Sequence, residues 1–593
     1  MSSAAVLKSG NDPRASAQIE RDVSLFNLHD PKVRFEEYLY YAAITRAEEK
    51  IANEEYVRLQ GPTSVKSVVL GRFSKGHAIS ASNPDPAVHS GDENTASGDE
   101  KTAGGAMTPP VGTGAGRVTE AEWKTASRAL RTCGWGSIFY LITTDILGPF
   151  STPWAFAQMG YGPGVALYTV FGFFACYSGY LLWDIFMHMD SDRYPLLNFG
   201  DMFYRVYGRW ARHLINVSQF IQMILMVSAL ILSNGQSISQ VSKTTLCFVA
   251  CLVIFMAAGM ILGQIRTLQR FGWLANFAVW INLLIIFFCM GVAANSAPNY
   301  SATAASYGAN FVEGPIHTYA GTPPDGMASG GSGFVGSLNG LNQAVYSYGG
   351  AMFFVAFLAE MRHPWDFWKG LLCANIFIYV VYMFFGIFVY SYQGQFAYNP
   401  VMQGLSPFGW QTACNIMNIV TGLIAAALYG NIGIKVAYVE VFQEILGAPA
   451  LTTKAGKILW VGVVPLYWAL GFIIAAAIPQ FSYISGLIGA LFILSFTYTF
   501  PAILALGYKV QLDAMTSEEH FDPSTGTYSA IDSGMTRWIR GYMKNFAFNS
   551  FNVFYALGAF ATTVLGVYSS VLGLISAFGG NSVATSFGCS SPA

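Results

Sequence analysis

The stretch Ile142-Thr143-Thr144-Asp145-Ile146-Leu147-Gly148-Pro149-Phe150-Ser151-Thr152-Pro153-Trp154 lies inside an apolar run long enough to cross a bilayer, yet it carries an acid, a glycine and two prolines. Pro149 and Pro153 have no backbone N–H, and Gly148 lowers helix propensity, so carbonyls on the turn before them lose intrahelical partners. In hydrocarbon each such orphan is costly unless it faces protein or a wet cavity. An interrupted helix that binds something polar is therefore expected here. A proline kink filled by neighbouring helices is the plainer alternative.

Composition sets the surroundings of that stretch. The chain of 593 residues is 53% hydrophobic and only 11% charged, whereas soluble domains carry about a quarter charged residues. This excludes an ordinary soluble enzyme and implies an all-α polytopic membrane protein. Windows of about 20 apolar residues fall near Trp135 to Met159, Gly164 to Met187, Leu214 to Ser237, Leu246 to Gly263, Trp273 to Ala294, Leu338 to Glu360, Gly370 to Tyr392, Thr412 to Ala437, Leu459 to Ile478, Tyr483 to Gly507 and Phe551 to Phe578. The expectation is about eleven spans in a transmembrane domain over 131–593.

Lys and Arg give the orientation. With the amino terminus in the cytosol, Arg193, Arg205, Arg209, Arg212, Arg266, Arg270, Arg362, Lys369, Lys454, Lys457, Lys509, Arg537, Arg540 and Lys544 all fall inside, and Lys243 alone falls outside. An odd span count puts the carboxyl terminus outside. The loop from Asn295 to Asn339 contains neither Lys nor Arg and carries Asn299-Tyr300-Ser301, a glycosylation sequon with Asn299 as acceptor. Several of the eight Cys (Cys176, Cys247, Cys251, Cys289, Cys373) sit in apolar runs and read as small packing residues, with no disulfide framework implied.

Residues 1–130 read as a polar cytosolic tail without the apolar core of a signal peptide, and Ala78 to Gly116 has the Ser, Gly, Thr and Asp content of a disordered linker. Within it, Asp30-Pro31 reads as an N-cap with proline at the first helical position, and Val33, Phe35, Leu39, Tyr40, Ala43 and Ile44 recur at helical spacing over 30–60. This helix either docks on the cytosolic face or stays free.

A second broken span follows from Asn342 to Phe354, where Gly349 and Gly350 stand together near mid-membrane. Spans one and six each open a set of five, and five is odd, so the two sets insert with opposite orientation. Interruptions at corresponding positions of such repeats point to a transporter substrate site. A glycine pair that only lets helices approach closely is the other reading. A broken helix bares the amides of one half and the carbonyls of the other, each end worth about half a charge. A zwitterion needs both signs. Its carboxylate can meet the amides after Gly148 and around Ser151, with Thr144 and Phe150 alongside. Its ammonium can meet carbonyls near Ser347, Tyr348 and Gly349.

Charges within the spans are few. A carboxylate at the depth of Asp145 costs roughly 2.5–3.5 kcal/mol on the insertion scale, so Asp145 is the candidate proton acceptor or ammonium partner. Lys435 in span eight either pairs with span one or snorkels to the cytosol, and Glu360 beside Arg362 is the candidate gate. Gln222, Met223 and Met226 of span three, Tyr348 and Phe353 of span six, and Phe496 and Tyr498 of span ten would line a neutral cavity. No His/Cys spacing suggests a metal or haem centre.

Taken together, Gly148 to Gly160 with Pro153-Trp154-Ala155-Phe156-Ala157, Asn198-Phe199-Gly200-Asp201 followed by Tyr207-Gly208-Arg209, and Tyr348-Gly349-Gly350 with Glu360-Met361-Arg362-His363-Pro364 resemble the amino acid/auxin permease family, within it the fungal neutral amino acid permeases. The resemblance covers Trp135 to about Phe578. It implies an eleven-span fold with a five-plus-five inverted repeat (the LeuT-like superfold) and broken helices one and six. The chain departs from the family at Ile146, where a glycine is common, and at Asp145 and Pro149. The span-one Asn and span-eight Thr of sodium-coupled relatives have no clear match, which favours protons over sodium.

The resulting expectation is a monomeric symporter importing neutral aliphatic and aromatic amino acids across the plasma membrane with protons, needing no cofactor and no nucleic acid, in contact with membrane lipids. A nutrient receptor with the same fold and a vacuolar exporter are the rival readings. An embedded enzyme is disfavoured, because no nucleophile and base share one depth.

Overall fold

A computed structural model of the protein describes residues 29–60, 133–265, 271–307, 313–331, 333–445, 447–449, 453–516, 519, 521–523, 525–579 and 586–591. Most of the tail, including Ala78 to Gly116, lies outside the described residues, as do Arg266 and Arg270. One compact unit comprises residues 27–47 and 128–593. A second comprises 1–26 and 48–127, of which only the helical residues 48–60 are described.

Eight helices among the described residues are long and apolar enough to cross a membrane. A ninth, Phe248–Leu262, is shorter, and two interrupted ones complete eleven: Trp135–Ile146 with Thr152–Met159, and Gly333–Ser347 with Phe354–Ala359. The protein is thus an all-α polytopic membrane protein, its sheet among the described residues limited to the ribbon Phe521–Asp522 against Thr527–Tyr528. The remaining spans are Tyr161–Met189 (two), Arg209–Val241 (three), Phe271–Asn295 (five), Phe367–Gln393 (seven), Phe408–Ala437 (eight), Lys454–Ala477 (nine), Phe481–Ala514 (ten) and Phe546–Gly579 (eleven). Span eight continues as π-helix over Tyr438–Ile445, and span ten contains π-helical turns at Gly489–Ile493 and Ser495–Thr499. Such turns break the regular ladder, and they concentrate near functional sites.

The helix in the tail starts at Phe35, not at Pro31. Asp30 closes a turn of its own, its Oδ1 accepting the Lys32 amide at 2.9 Å and its carbonyl that of Val33 at 3.2 Å. The first half of this helix docks on the loop after span two. Tyr38 is buried edge-on against Tyr194, and the Arg205 guanidinium lies 4.6 Å from its ring centre. Arg46 donates to Asp190 at 2.6 Å, Arg537 donates to Glu36 at 2.7 Å, and the Tyr194 hydroxyl donates to Glu37 at 2.6 Å. The face bearing this helix is called the tail face below.

The motif from Asn198 to Arg209 builds that docking surface. Asn198 and Asp201 form a reciprocal capping box at the start of Phe199–Tyr207, which satisfies two orphan amides at once. Gly208 then adopts φ +86, a left-handed conformation, so that span three can start at Arg209.

One expectation is corrected. Cys247 is not a packing residue: it forms a disulfide with Cys589, 342 residues away, and the backbone of Cys589 also accepts the Phe248 amide at 3.0 Å. The two cysteines meet only because span four begins, and the carboxyl-terminal segment returns, at the face opposite the tail face. Phe587 bonds there to the carbonyl of Ala476 at the end of span nine.

Candidate functional site

Span one winds from Trp135 to Ile146, and the Leu147 amide still reaches the Thr143 carbonyl at 2.8 Å. At Gly148 the chain leaves helical geometry, with φ −150 and ψ 68. A short 3-10 turn over Pro149–Ser151 leads into Thr152–Met159. Both prolines therefore stand in the first turn of a new element, where their missing N–H would lack a partner anyway. The residues that forbid one long helix are well suited to two short ones.

Span six is interrupted in the same way. Its first half ends at Ser347, Tyr348 to Gly350 are not helical, and Ala351–Phe353 restart it. The two broken spans run antiparallel. At the tail face the Cys133 amide donates to Glu360 O at 3.1 Å, and the Arg362 amide donates to Cys133 O at 2.9 Å. At the opposite face Gln158 accepts the Gly330 amide at 2.6 Å and donates to Ser329 Oγ at 2.8 Å. Between these ties the breaks meet: a β-carbon on Gly350 would stand 2.6 Å from Asp145 Oδ2 and 2.8 Å from Ile146 Cγ1.

Two tyrosines complete the junction. The Tyr382 hydroxyl of span seven donates toward Ile146 O at 2.5 Å and Ser347 O at 3.0 Å, and accepts the Gly148 amide at 3.2 Å. The Tyr429 hydroxyl of span eight donates to Asp145 Oδ1 at 2.9 Å, while Oδ2 is buried with no hydrogen-bond partner. A proton on Oδ2 would relieve that carboxylate of its buried charge.

The candidates named from the sequence divide into those at the junction and those turned elsewhere. Asp145, Gly148, Ser347 and Gly350 are at the junction. Phe353 borders it by stacking on Tyr429, with ring centres 5.9 Å apart. Thr144 donates to its own helix at Tyr140 O, 2.7 Å. Ser151 is buried in the 3-10 turn. Phe150 turns toward Phe385 and the cluster between spans five and seven. Tyr348 lies against span two, its hydroxyl 3.0 Å from the β-carbon position of Gly172, and Gly349 faces Ile493 in the first π-turn of span ten. Gln222 is buried in span three with Oε1 unpaired. Phe496 packs on Phe199, and Tyr498 donates to Phe171 O at 3.2 Å. Lys435 is half-buried and interacts electrostatically with Glu360; Glu360 is exposed at the tail face. Asn299 caps Tyr300–Tyr307, its Oδ1 accepting from Ser301 Oγ at 2.8 Å and the Ala302 amide at 3.1 Å, and its Nδ2 donating to Leu405 O at 3.3 Å.

Tyr382 and Tyr429 were missed from the sequence. Each is one of many aromatics in an apolar span, and only the hydroxyl sets it apart. Burying that hydroxyl requires a partner, which is the one signal that could have ranked them.

The family profile described as "Transmembrane amino acid transporter protein" matches residues 131–518, which include both breaks, Asp145, Tyr382 and Tyr429. The chain belongs to this amino acid transporter family. It is similar to a "Transmembrane transporter" of Gibberella moniliformis, 25% identical over 63% of this chain and 75% of that protein. It is likewise similar to a "Transmembrane transporter" of Fusarium pseudograminearum, 25% identical over 67% of this chain and 80% of that protein. An "N amino acid transport system protein" of Neurospora crassa is 22% identical over 71% of this chain and 89% of that protein. Membership makes the chain a multi-pass transporter of amino acids and not an enzyme. The family match ends before span eleven and the disulfide to Cys589.

Proposed function

We propose that the protein is a secondary active symporter that imports neutral amino acids, aliphatic and aromatic, across the plasma membrane together with a proton, working as a monomer without a bound cofactor. The observation that carries this reading is the meeting of the two breaks, where carbonyls of Ile146 and Ser347 and the amide of Gly148 converge within reach of one group. A zwitterionic backbone matches that set of partial charges. Asp145 is the only acid among the junction residues named above, so it either takes the coupled proton or faces the ammonium. With no second charge to pair a charged substrate side chain, neutral substrates fit.

Two features support a cytosolic tail face. Arg46, Arg193, Arg205, Arg537 and Arg540 all gather at the tail face, as cationic loops do on the cytosolic side. The Cys247–Cys589 disulfide is at the opposite face, as expected of an oxidising exterior. One inward positive charge is worth about 2.3 kcal/mol per 100 mV, or roughly fifty-fold accumulation, which is sufficient drive for uptake.

The test is uptake in proteoliposomes. An inward proton gradient should drive accumulation of labelled leucine or phenylalanine with external alkalinisation, and a protonophore should abolish it. Accumulation that ignores protons but follows a sodium gradient would overturn the coupling, and binding without translocation would make the protein a receptor.

A further inference from the structure

The three contacts of the Tyr382 hydroxyl have a further consequence, which rests on reading the breaks as the substrate site. Ile146 O and Ser347 O are the closing carbonyls of two different half-helices, so both stand at negative ends. Gly148 N opens the segment after the first break, a positive end. One oxygen, on a third span, therefore touches both negative ends and one positive end. That is the set of groups a zwitterion would use.

We infer that Tyr382 is an internal surrogate for the substrate's ammonium, closing the junction whenever the carrier has released its cargo. Its hydroxyl has one hydrogen for two carbonyls, so it can only share between them. An ammonium has three hydrogens, carries a full charge and satisfies both at once. Substrate therefore wins the competition, and on its departure the phenol prevents two buried carbonyls from being left bare. The ring itself cannot swing far: it is fully buried, with Tyr168 at 6.0 Å and Tyr348 at 5.6 Å between ring centres. The half-helices move onto and off the hydroxyl, and the ring stays.

A surrogate of this kind matters for one half of the transport cycle. Net uptake needs the unloaded carrier to close and return, whereas exchange of labelled for unlabelled substrate does not. In reconstituted full-length protein, Tyr382→Phe should cut net proton-driven leucine uptake by about ten-fold, the order of one lost buried hydrogen bond. Leucine exchange should lose less than net uptake does, and half-saturation in exchange should fall because the internal competitor is gone. Equal losses of uptake and exchange, or no loss of either, would overturn the assignment.

A second measurement keeps the hydroxyl and does not depend on the variant folding. With 3-fluorotyrosine encoded at position 382, the 19F resonance should shift when leucine is added, and an unmoved resonance at saturating leucine would overturn the inference. Absence of any uptake by the unmodified chain would instead remove the transport reading, and the resonance would still decide whether Tyr382 yields to leucine.

Discussion

Gly350 in span six leaves no room for a β-carbon beside Asp145 in span one: the position it would occupy is 2.6 Å from the carboxylate Oδ2. The two breaks are thus fitted to each other, and the acid is held where both unwound segments meet. Gly350→Ala should push the carboxylate or the Ile146 side chain aside at an overpacking cost of about 1–3 kcal/mol. Leucine uptake by this variant should drop at least ten-fold with surface expression retained, checked by uptake normalised to antibody labelling.

Asp145→Asn keeps a carbonyl oxygen for the Tyr429 hydroxyl and removes the proton acceptor. Uphill uptake driven by a pH gradient should be lost, while exchange at equal pH on both sides should persist. Uphill accumulation that survives the substitution would show that protons are taken up elsewhere.

Arg46→Ala should loosen the docked helix. Asp190 is fully buried, and it would lose its 2.6 Å partner while keeping the Leu196 amide at 3.0 Å. Removing the charged partner of a buried carboxylate costs on the order of 3 kcal/mol. A lower thermal midpoint in fluorescence-detected size exclusion is the expected result, together with faster hydrogen exchange over residues 35–47.

Acid should release the same helix in a defined window. Burial would raise the Asp201 carboxyl, but the hydrogen bond from His29 at 2.9 Å and the electrostatic pull of His29 and Arg205 outweigh it and hold the group below its usual value of 3.8. A carboxyl lowered in the folded state stabilises above its unfolded value, and that contribution disappears as pH falls through the folded one. Protection of residues 29–47 from hydrogen exchange, corrected for intrinsic rates, should therefore stay flat down to about pH 4 and decline below it. A loss centred near pH 6 would mean that another group governs docking.

Reduction or Cys589→Ser should lower the thermal midpoint, since a disulfide typically contributes about 2–4 kcal/mol. An impermeant thiol reagent applied outside intact cells should label Cys247 only after reduction.

Local chemistry was enough to read the polytopic class, the span positions and both interruptions. Two prolines after a glycine, or two adjacent glycines, decide backbone geometry within a few residues, and apolar runs of bilayer length decide what can span. Asp145 was legible for the same reason, as an acid in an apolar run. The sequence did not reveal which hydroxyls the breaks would gather. Tyr382 and Tyr429 lie 236 and 284 residues from their partners in span one, and the tyrosines around them have equally good claims from pattern alone.

Amino-acid order alone therefore determined where the chain must cross, where it cannot stay helical, and which face collects the cations, because those depend on neighbours in sequence and on transfer from water. Only the tertiary structure decided that the Phe150 side chain packs on Phe385 and the Tyr348 hydroxyl against Gly172, that Lys435 lies in the field of Glu360, and that Cys247 has a partner. Each of these is settled by which helix packs against which, a competition among distant segments for the same buried space and the same few unsatisfied polar groups.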